Sequence, residues 1–319
     1  MPHARHLPAV PQPAASLSRA AIRCLALDHA AATVYAALRE RGIDSVLLKG
    51  PGLGSRLRVA HHRLYNDVDL LVAPSTFDAA QQLFRELGFR PAMPGARADD
   101  WSLWHERPWM VPGPVALTVD LHRGFAGAAD PEAFWTAVFA RAEQIGLAGG
   151  SIAIPDETCT ALLVALHAAS PGRSAKTRRD LDRAISIFES DVWPAAATVA
   201  ERCGAVSAFA LGLRQVERGV RIAAVLGLPE HATASQLLVA RRGSPTAHAL
   251  ARIAELPTPR ARVRHVVRRL FPSAAAMRST QALARRGPIG LVLAYLVRIG
   301  QHAANTPRAV REWRAARAA

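Results

Sequence analysis

Hydrophobic positions fall along this chain in two periods, and the switch between them marks the elements. Ala, Leu and Val recur at helical spacing from about Leu17 to Arg41, and Gly42 is placed to end that helix. Asp44 to Leu48 reads as a buried strand, and Pro51-Gly52 opens a short helix reaching about Arg58. Asp67 to Val72 is a second strand. Pro74-Ser75-Thr76 supplies a turn and an N-cap for a helix over Phe77 to Leu87, closed by Gly88. Trp101 to Trp109 is aromatic and polar, and Pro112-Gly113-Pro114 is a turn. Val115 to Leu121 alternates as a third strand, with Asp120 near its end and His122 just beyond. From Pro155 onward helical spacing dominates. Asp156 caps the first of these helices and another covers about Thr177 to Ser190.

This order predicts an α+β protein: a small mixed β-sheet domain with helices, then a mainly α-helical domain. The expected division is a disordered tail over 1–16, an α/β domain over 17–150, a helical domain over 151–256 and a basic helical region over 257–319. A length of 319 residues suits such a two-domain core, and half the residues are apolar against a fifth charged.

The formal charge is +15, nearly all of it Arg; the two lysines are Lys49 and Lys176. Arg and Ala usage of this kind also follows from genome composition, so high charge is weak evidence for a nucleic-acid partner. After Glu255 the one acid is Glu312, leaving a basic tail that is either a solvated surface or a binder of phosphate-rich partners. Cys24, Cys159 and Cys203 show no metal-ligand spacing and read as reduced thiols. The start of the chain lacks a signal-peptide core. The apolar run Ile289–Val297, closed by Arg298, is too short to span a bilayer, so a cytoplasmic location without a membrane span is expected.

The chemistry is concentrated in Lys49-Gly50 and Asp67-Val68-Asp69. Residues i and i+2 of a strand share a face, so Asp67 and Asp69 project together from a strand otherwise built for burial. Two such carboxylates repel each other and are costly to desolvate. A divalent cation with a preference for hard oxygen ligands relieves both problems, which suits Mg²⁺ beside substrate phosphates.

Leu47-Leu48-Lys49-Gly50, Arg63, Asp67-Val68-Asp69-Leu70-Leu71-Val72 and Val119-Asp120-Leu121-His122 together resemble the bacterial uncharacterised nucleotidyltransferase family, of the DNA polymerase β-like nucleotidyltransferase fold. That family also occurs in gene clusters for ribosomally made peptides, lasso peptides included. Leu163–Ala168, Arg179-Asp180-Leu181 and Phe271-Pro272-Ser273 extend the resemblance over about residues 20 to 300.

The resemblance implies an enzyme moving a nucleoside monophosphate (NMP) from a nucleoside triphosphate (NTP), such as ATP, to a hydroxyl or phosphate acceptor. It implies Mg²⁺ or Mn²⁺ held by Asp67, Asp69 and Asp120, with Asp120 also placed to take the acceptor's proton. Lys49, Gly50, Ser55 and Arg63 would bind the triphosphate; Arg63 has an ion pair with Asp67 as its alternative role. The acceptor is a small molecule, a peptide or a protein, and nucleic acid is the less favoured partner. Two departures stand out: Gly50 is followed by Pro51 rather than Ser, removing one amide donor, and Asp120 replaces a more usual Glu. His122 would orient Asp120 or line the acceptor pocket, whereas His167 reads as a core histidine. Lys176, Arg178 and Arg179 either reach phosphates or are solvated. Trp101, Trp104 and Trp109 either pack or wall the acceptor pocket. Two rival readings remain: a catalytically inactive nucleotidyltransferase-fold scaffold and an RNA-binding protein.

Overall fold

The computed structural model describes residues 14–59, 64–93, 105–170, 175–230, 238, 244–256, 258–274, 277–278 and 281–317. Arg63, Trp101, Trp104 and the Pro171-Gly172 turn lie outside them, as do residues 1–13 of the expected tail.

Helix α1 (Ala14–Glu40) leads to strand β1 (Ser45–Leu47), short helix α2 (Pro51–Arg56) and strand β2 (Asp67–Val72). Gly42, at φ 69°, closes α1 in the left-handed region that glycine tolerates. A 3₁₀ turn (Pro74–Thr76) enters α3 (Phe77–Glu86) without the expected side-chain cap; the Thr76 hydroxyl donates instead to Ala73 O. Strands β3 (Arg90–Pro91), β4 (Glu106–Met110) and β5 (Thr118–His122) complete a five-stranded sheet of order β1-β2-β5-β4-β3. Only β2 and β5 pair in parallel; the other pairings are antiparallel. The architecture is α+β, a mixed sheet followed by a helical part.

The alternation of β2 and β5 sorts their residues onto two faces. Val68, Leu70, Val72, Val119 and Leu121 lie on one face and are wholly buried, together with Trp109 of β4. Trp109 meets Phe84 of α3 edge-on at 5.6 Å, so it packs the face turned away from the acidic residues. α1 lies against β1 and β2 through the stripe Leu27, Ala31, Val34 and Leu38. By length and composition α1 could cross a membrane over Arg19–Glu40, but that stripe is part of the core, as in a core helix of a globular fold.

After α4 (Pro131–Phe139) the chain forms a hairpin of β6 (Glu143–Leu147) and β7 (Gly150–Ile154), turning at Ala148 and Gly149, both with positive φ. Five helices follow: α5 (Glu157–Ala169), α6 (Ala175–Ile187), α7 (Val192–Arg202), α8 (Val206–Leu213) and α9 (Glu217–Val225). Asp156 caps α5 as expected, accepting from Cys159 N at 2.7 Å. A single hydrophobic cluster runs from Leu27 through the sheet and α5–α9 to Leu228. Helices α10 (Pro245–Glu255), α11 (Pro259–Leu270) and α12 (Gly287–Arg317) have two small clusters of their own, made largely of alanine. All three cysteines are free thiols.

Candidate active site

β1 ends at Leu47, and Leu48 N still donates to Asp69 O at 2.9 Å, so the chain leaves the sheet beside the acids of β2. Gly50 then turns it with φ 67° and ψ −131°, and Pro51 starts α2 at its first position. The hairpin braces α2. Arg56 donates to Pro155 O at 2.7 Å and its Nη2 lies 2.7 Å from Glu143 Oε2. A Cβ on Gly52 would come within 2.7 Å of Ile154 Cγ2, so glycine is what lets the helix approach the hairpin this closely.

The register of β2 and β5 sets Asp69 opposite Asp120 and Asp67 opposite Thr118. Asp67, Asp69, Asp120 and His122 therefore share one face, and β4 adds Glu106 opposite His122. Lys49 Nζ lies 2.5 Å from Asp69 Oδ1. His122 Nε2 lies 3.1 Å from the same oxygen and 3.5 Å from Glu106 Oε2. His105 Nε2 lies 3.4 Å from Glu106 Oε2. Phe125 lines this group: its ring stacks on His122 at 6.1 Å and faces Lys49 Nζ at 5.6 Å.

The electrostatics separate the carboxylates into two kinds. Burial opposes ionisation of Asp69, but Lys49 and His122 outweigh it and hold its carboxyl far below the usual range. Glu106 is likewise drawn down to about 2 against its burial, by His105 and the charge of His122. Asp120 moves the other way. Burial and then the Asp69 charge push it up to about 7. Asp67 is raised by burial and by Asp69. Lys49 and His122 are both held in their charged forms by Asp69 despite burial.

Asp69 Oδ2 and Asp120 Oδ1 are buried without a hydrogen-bond partner, and so is His122 Nδ1. Two orphaned carboxylate oxygens on adjacent strands, with Asp67 on the same face, are oxygen donors of the kind that a hard divalent cation takes. Among the described residues no group of three His, Cys, Asp or Glu side chains is set to hold a metal ion. In this arrangement Asp69 spends one oxygen on Lys49.

The entry to β2 is held from two sides. From α1, Arg23 donates to Asn66 O at 3.2 Å, Cys24 to Tyr65 O at 3.6 Å, and Asp28 accepts from the Tyr65 hydroxyl. From α6, Lys176 donates to Leu64 O at 2.6 Å, and its charge favours ionised Asp67. Lys176 thus belongs to the acidic face, whereas Arg178 and Arg179 are exposed on α6. Ser55 is exposed near the far end of α2, and His167 is half-buried on α5. Glu106 was missed by sequence reasoning, although it alternates with buried Trp109 in the manner of a strand. His122 contacts Asp69 rather than Asp120.

The fold is of the α+β class, a mixed sheet with an acid-lined face followed by a helical part. The chain belongs to the uncharacterised nucleotidyltransferase family, whose model matches residues 5–219, and it is a nucleotidyltransferase on that ground. No curated protein matches it. Among solved structures it is similar to the antibiotic-resistance factor ANT(2'')-Ia in solution, with 15% identity, 57% of this chain and 93% of that one covered, and a TM-score of 0.40. ANT(2'')-Ia in complex with adenylyl-2''-tobramycin gives 16% identity, 56% and 97% coverage and a TM-score of 0.39. An antigenic nucleotidyltransferase-like protein from Paracoccidioides brasiliensis gives 13%, 57%, 91% and 0.36. Likenesses this distant add nothing to the family match.

Proposed function

We propose that this protein is a Mg²⁺- or Mn²⁺-dependent nucleotidyltransferase that transfers NMP from an NTP to a hydroxyl or phosphate acceptor on a small molecule, peptide or protein. The observation that carries this reading is the side-by-side placement of Asp69 and Asp120, each with a buried orphan oxygen, next to Lys49.

In this reading Asp67 and Asp69 hold a cation on the nucleotide side and Asp120 completes the donor set. Bound there, the cation would neutralise charge on the triphosphate and on the transition state. Lys49 binds the phosphates as a point charge, giving up Asp69 as the nucleotide arrives. The turn at Gly50 brings the backbone of α2 toward the phosphates, with Ser55 and Arg63 as further proposed contacts. Pro51 withholds one amide, which gives the Lys49 charge a larger share of the grip. Asp120, on the strand beside Asp69, is placed to take the proton of an acceptor hydroxyl. The acceptor oxygen bonds to the α-phosphorus, the bond from that phosphorus to the bridging oxygen breaks, and pyrophosphate leaves. His122 holds Asp69 in position and Glu106 steadies His122 from behind.

The test is incubation with NTPs labelled at the α- or the γ-phosphate, Mg²⁺ and a panel of hydroxyl and phosphate acceptors. Transfer of the α-label with release of pyrophosphate supports the reading. Transfer of the γ-label alone would make the protein a kinase.

A further inference from the structure

The C-terminal helices distribute their side chains inside out. The inner face of α12's first half carries Gly290 and Ala294, which are buried, and the neighbouring cluster adds Met277 and Ala284. Its outer face carries Ile289, Val292, Leu293, Leu296 and Val297, all exposed, Ile289 to 77%. These five recur at three- and four-residue steps, so they form one continuous aliphatic stripe. α11 repeats the pattern: Val263, Val266 and Val267 share a face and are exposed. The two helices are joined where Arg298 donates twice to Arg269 O, at 3.1 and 3.0 Å, and Tyr295 donates to Pro272 O at 2.5 Å. Large apolar stripes turned outward over a core of alanine mark a surface that expects an apolar neighbour.

Charge says what kind of neighbour. From Leu256 to the last residue the chain has 13 arginines and one acid, Glu312. On α11, Arg260 and Arg264 lie along one side of the valine face and Arg262 along the other, all exposed. Arg285 and Arg286, also exposed, stand just before the α12 stripe. A second copy of the chain would bring two such basic regions together and pay in repulsion. A nucleic acid would pair the arginines but leave the aliphatic stripe in water, with the exposed ring of Phe271, packed against Tyr295, as a stacking site beside it. An anionic lipid surface answers both features at once, taking the aliphatic stripe below the headgroups and the guanidinium groups among their phosphates. We infer that α11 and α12 form a docking surface for an anionic membrane, on which the protein lies without crossing it. This surface is independent of the proposed catalytic reading.

The experiment is flotation of the full chain with vesicles of phosphatidylcholine alone or of phosphatidylcholine and phosphatidylglycerol in equal parts. Recovery with the anionic vesicles is expected to exceed that with neutral ones by about tenfold or more and to fall as salt is raised. The double variant Leu293→Ser/Leu296→Ser, altered only at exposed positions, should lose about tenfold in anionic-vesicle binding while keeping its melting temperature. The inference is overturned if the wild-type chain ignores anionic vesicles or if the double variant binds them equally well. It is also overturned if the stripe instead drives a dimer that the variant abolishes, or if the chain binds RNA but not vesicles.

Discussion

Asp69 and Asp120 are direct neighbours across the one parallel strand pair of the sheet, yet their carboxyls are driven in opposite directions. Asp69 is held ionised by Lys49 and His122, whereas Asp120 is pushed up to about 7 by burial and by Asp69 itself, which outweigh the opposing charge of His122. In the metal-free protein one of the pair is a fixed negative charge and the other titrates near neutral pH.

The Asp120 shift gives a stability test. A folded-state pKa raised above the unfolded value means that Asp120 favours folding only while neutral. That contribution is complete below the ordinary carboxyl value of 3.8 and is lost as pH rises through about 7. In metal-free protein Asp120→Asn should therefore be more stable than wild type at about pH 8, by roughly 1–2 kcal/mol after allowance for solvent screening, with the gap closing by about pH 4. Thermal melts across that range in the presence of a chelator read this directly. The same variant should lose NMP transfer.

Removing Lys49 leaves Asp69 as a buried charge with only His122 to face it. Lys49→Met should cost about 3–5 kcal/mol without metal near neutral pH, as expected for a broken buried pair. Addition of Mg²⁺ should recover part of the loss, because the cation supplies the missing charge. Denaturant titration with and without Mg²⁺ measures both effects, and an equal cost in the two conditions would contradict a metal role for Asp69.

His122 acts on the reaction through Asp69. His122→Gln is expected to lower Mg²⁺ affinity and kcat by about 10–100-fold, the usual effect of losing a partner that orients a metal ligand. KM for the NTP should change less, since in the proposed reading Lys49 rather than this ring meets the phosphates. Steady-state kinetics at varied Mg²⁺ separates the two.

Packing of α2 on the hairpin has its own test. Gly52→Ala should destabilise by about 1–3 kcal/mol through overpacking against Ile154. Combined with Ile154→Ala, which removes the clashing methyl, the penalty should shrink, so a double-mutant cycle should report favourable coupling between the two sites.

Much of this arrangement can be read in the sequence because it obeys local rules. The strand Asp67–Val72 declares itself through its acid–apolar–acid start and aliphatic run, and the structure assigns it the same limits. Gly42 and Gly88 stop their helices with positive φ, and Asp156 caps α5. What escaped depends on neighbours distant in sequence. β4 hides behind Pro108, a residue that cannot donate to a ladder and so argues against an interior strand; with it went Glu106. The β6–β7 hairpin hides behind Gly149-Gly150, which looks like a break but makes a tight turn between alternating Ile145, Leu147, Ile152 and Ile154. His122 was placed beside Asp120 by adjacency in sequence, whereas strand geometry sets it against Asp69 on the next strand.

The most direct measurement is calorimetric titration of a non-hydrolysable NTP analogue into the metal-free protein, with and without Mg²⁺, for the wild type and Asp67→Asn. Binding that requires Mg²⁺ in the wild type and is lost in Asp67→Asn is the expected result. Equal binding by both proteins, or binding indifferent to Mg²⁺, would contradict a cation held on the acidic face of β2 and β5.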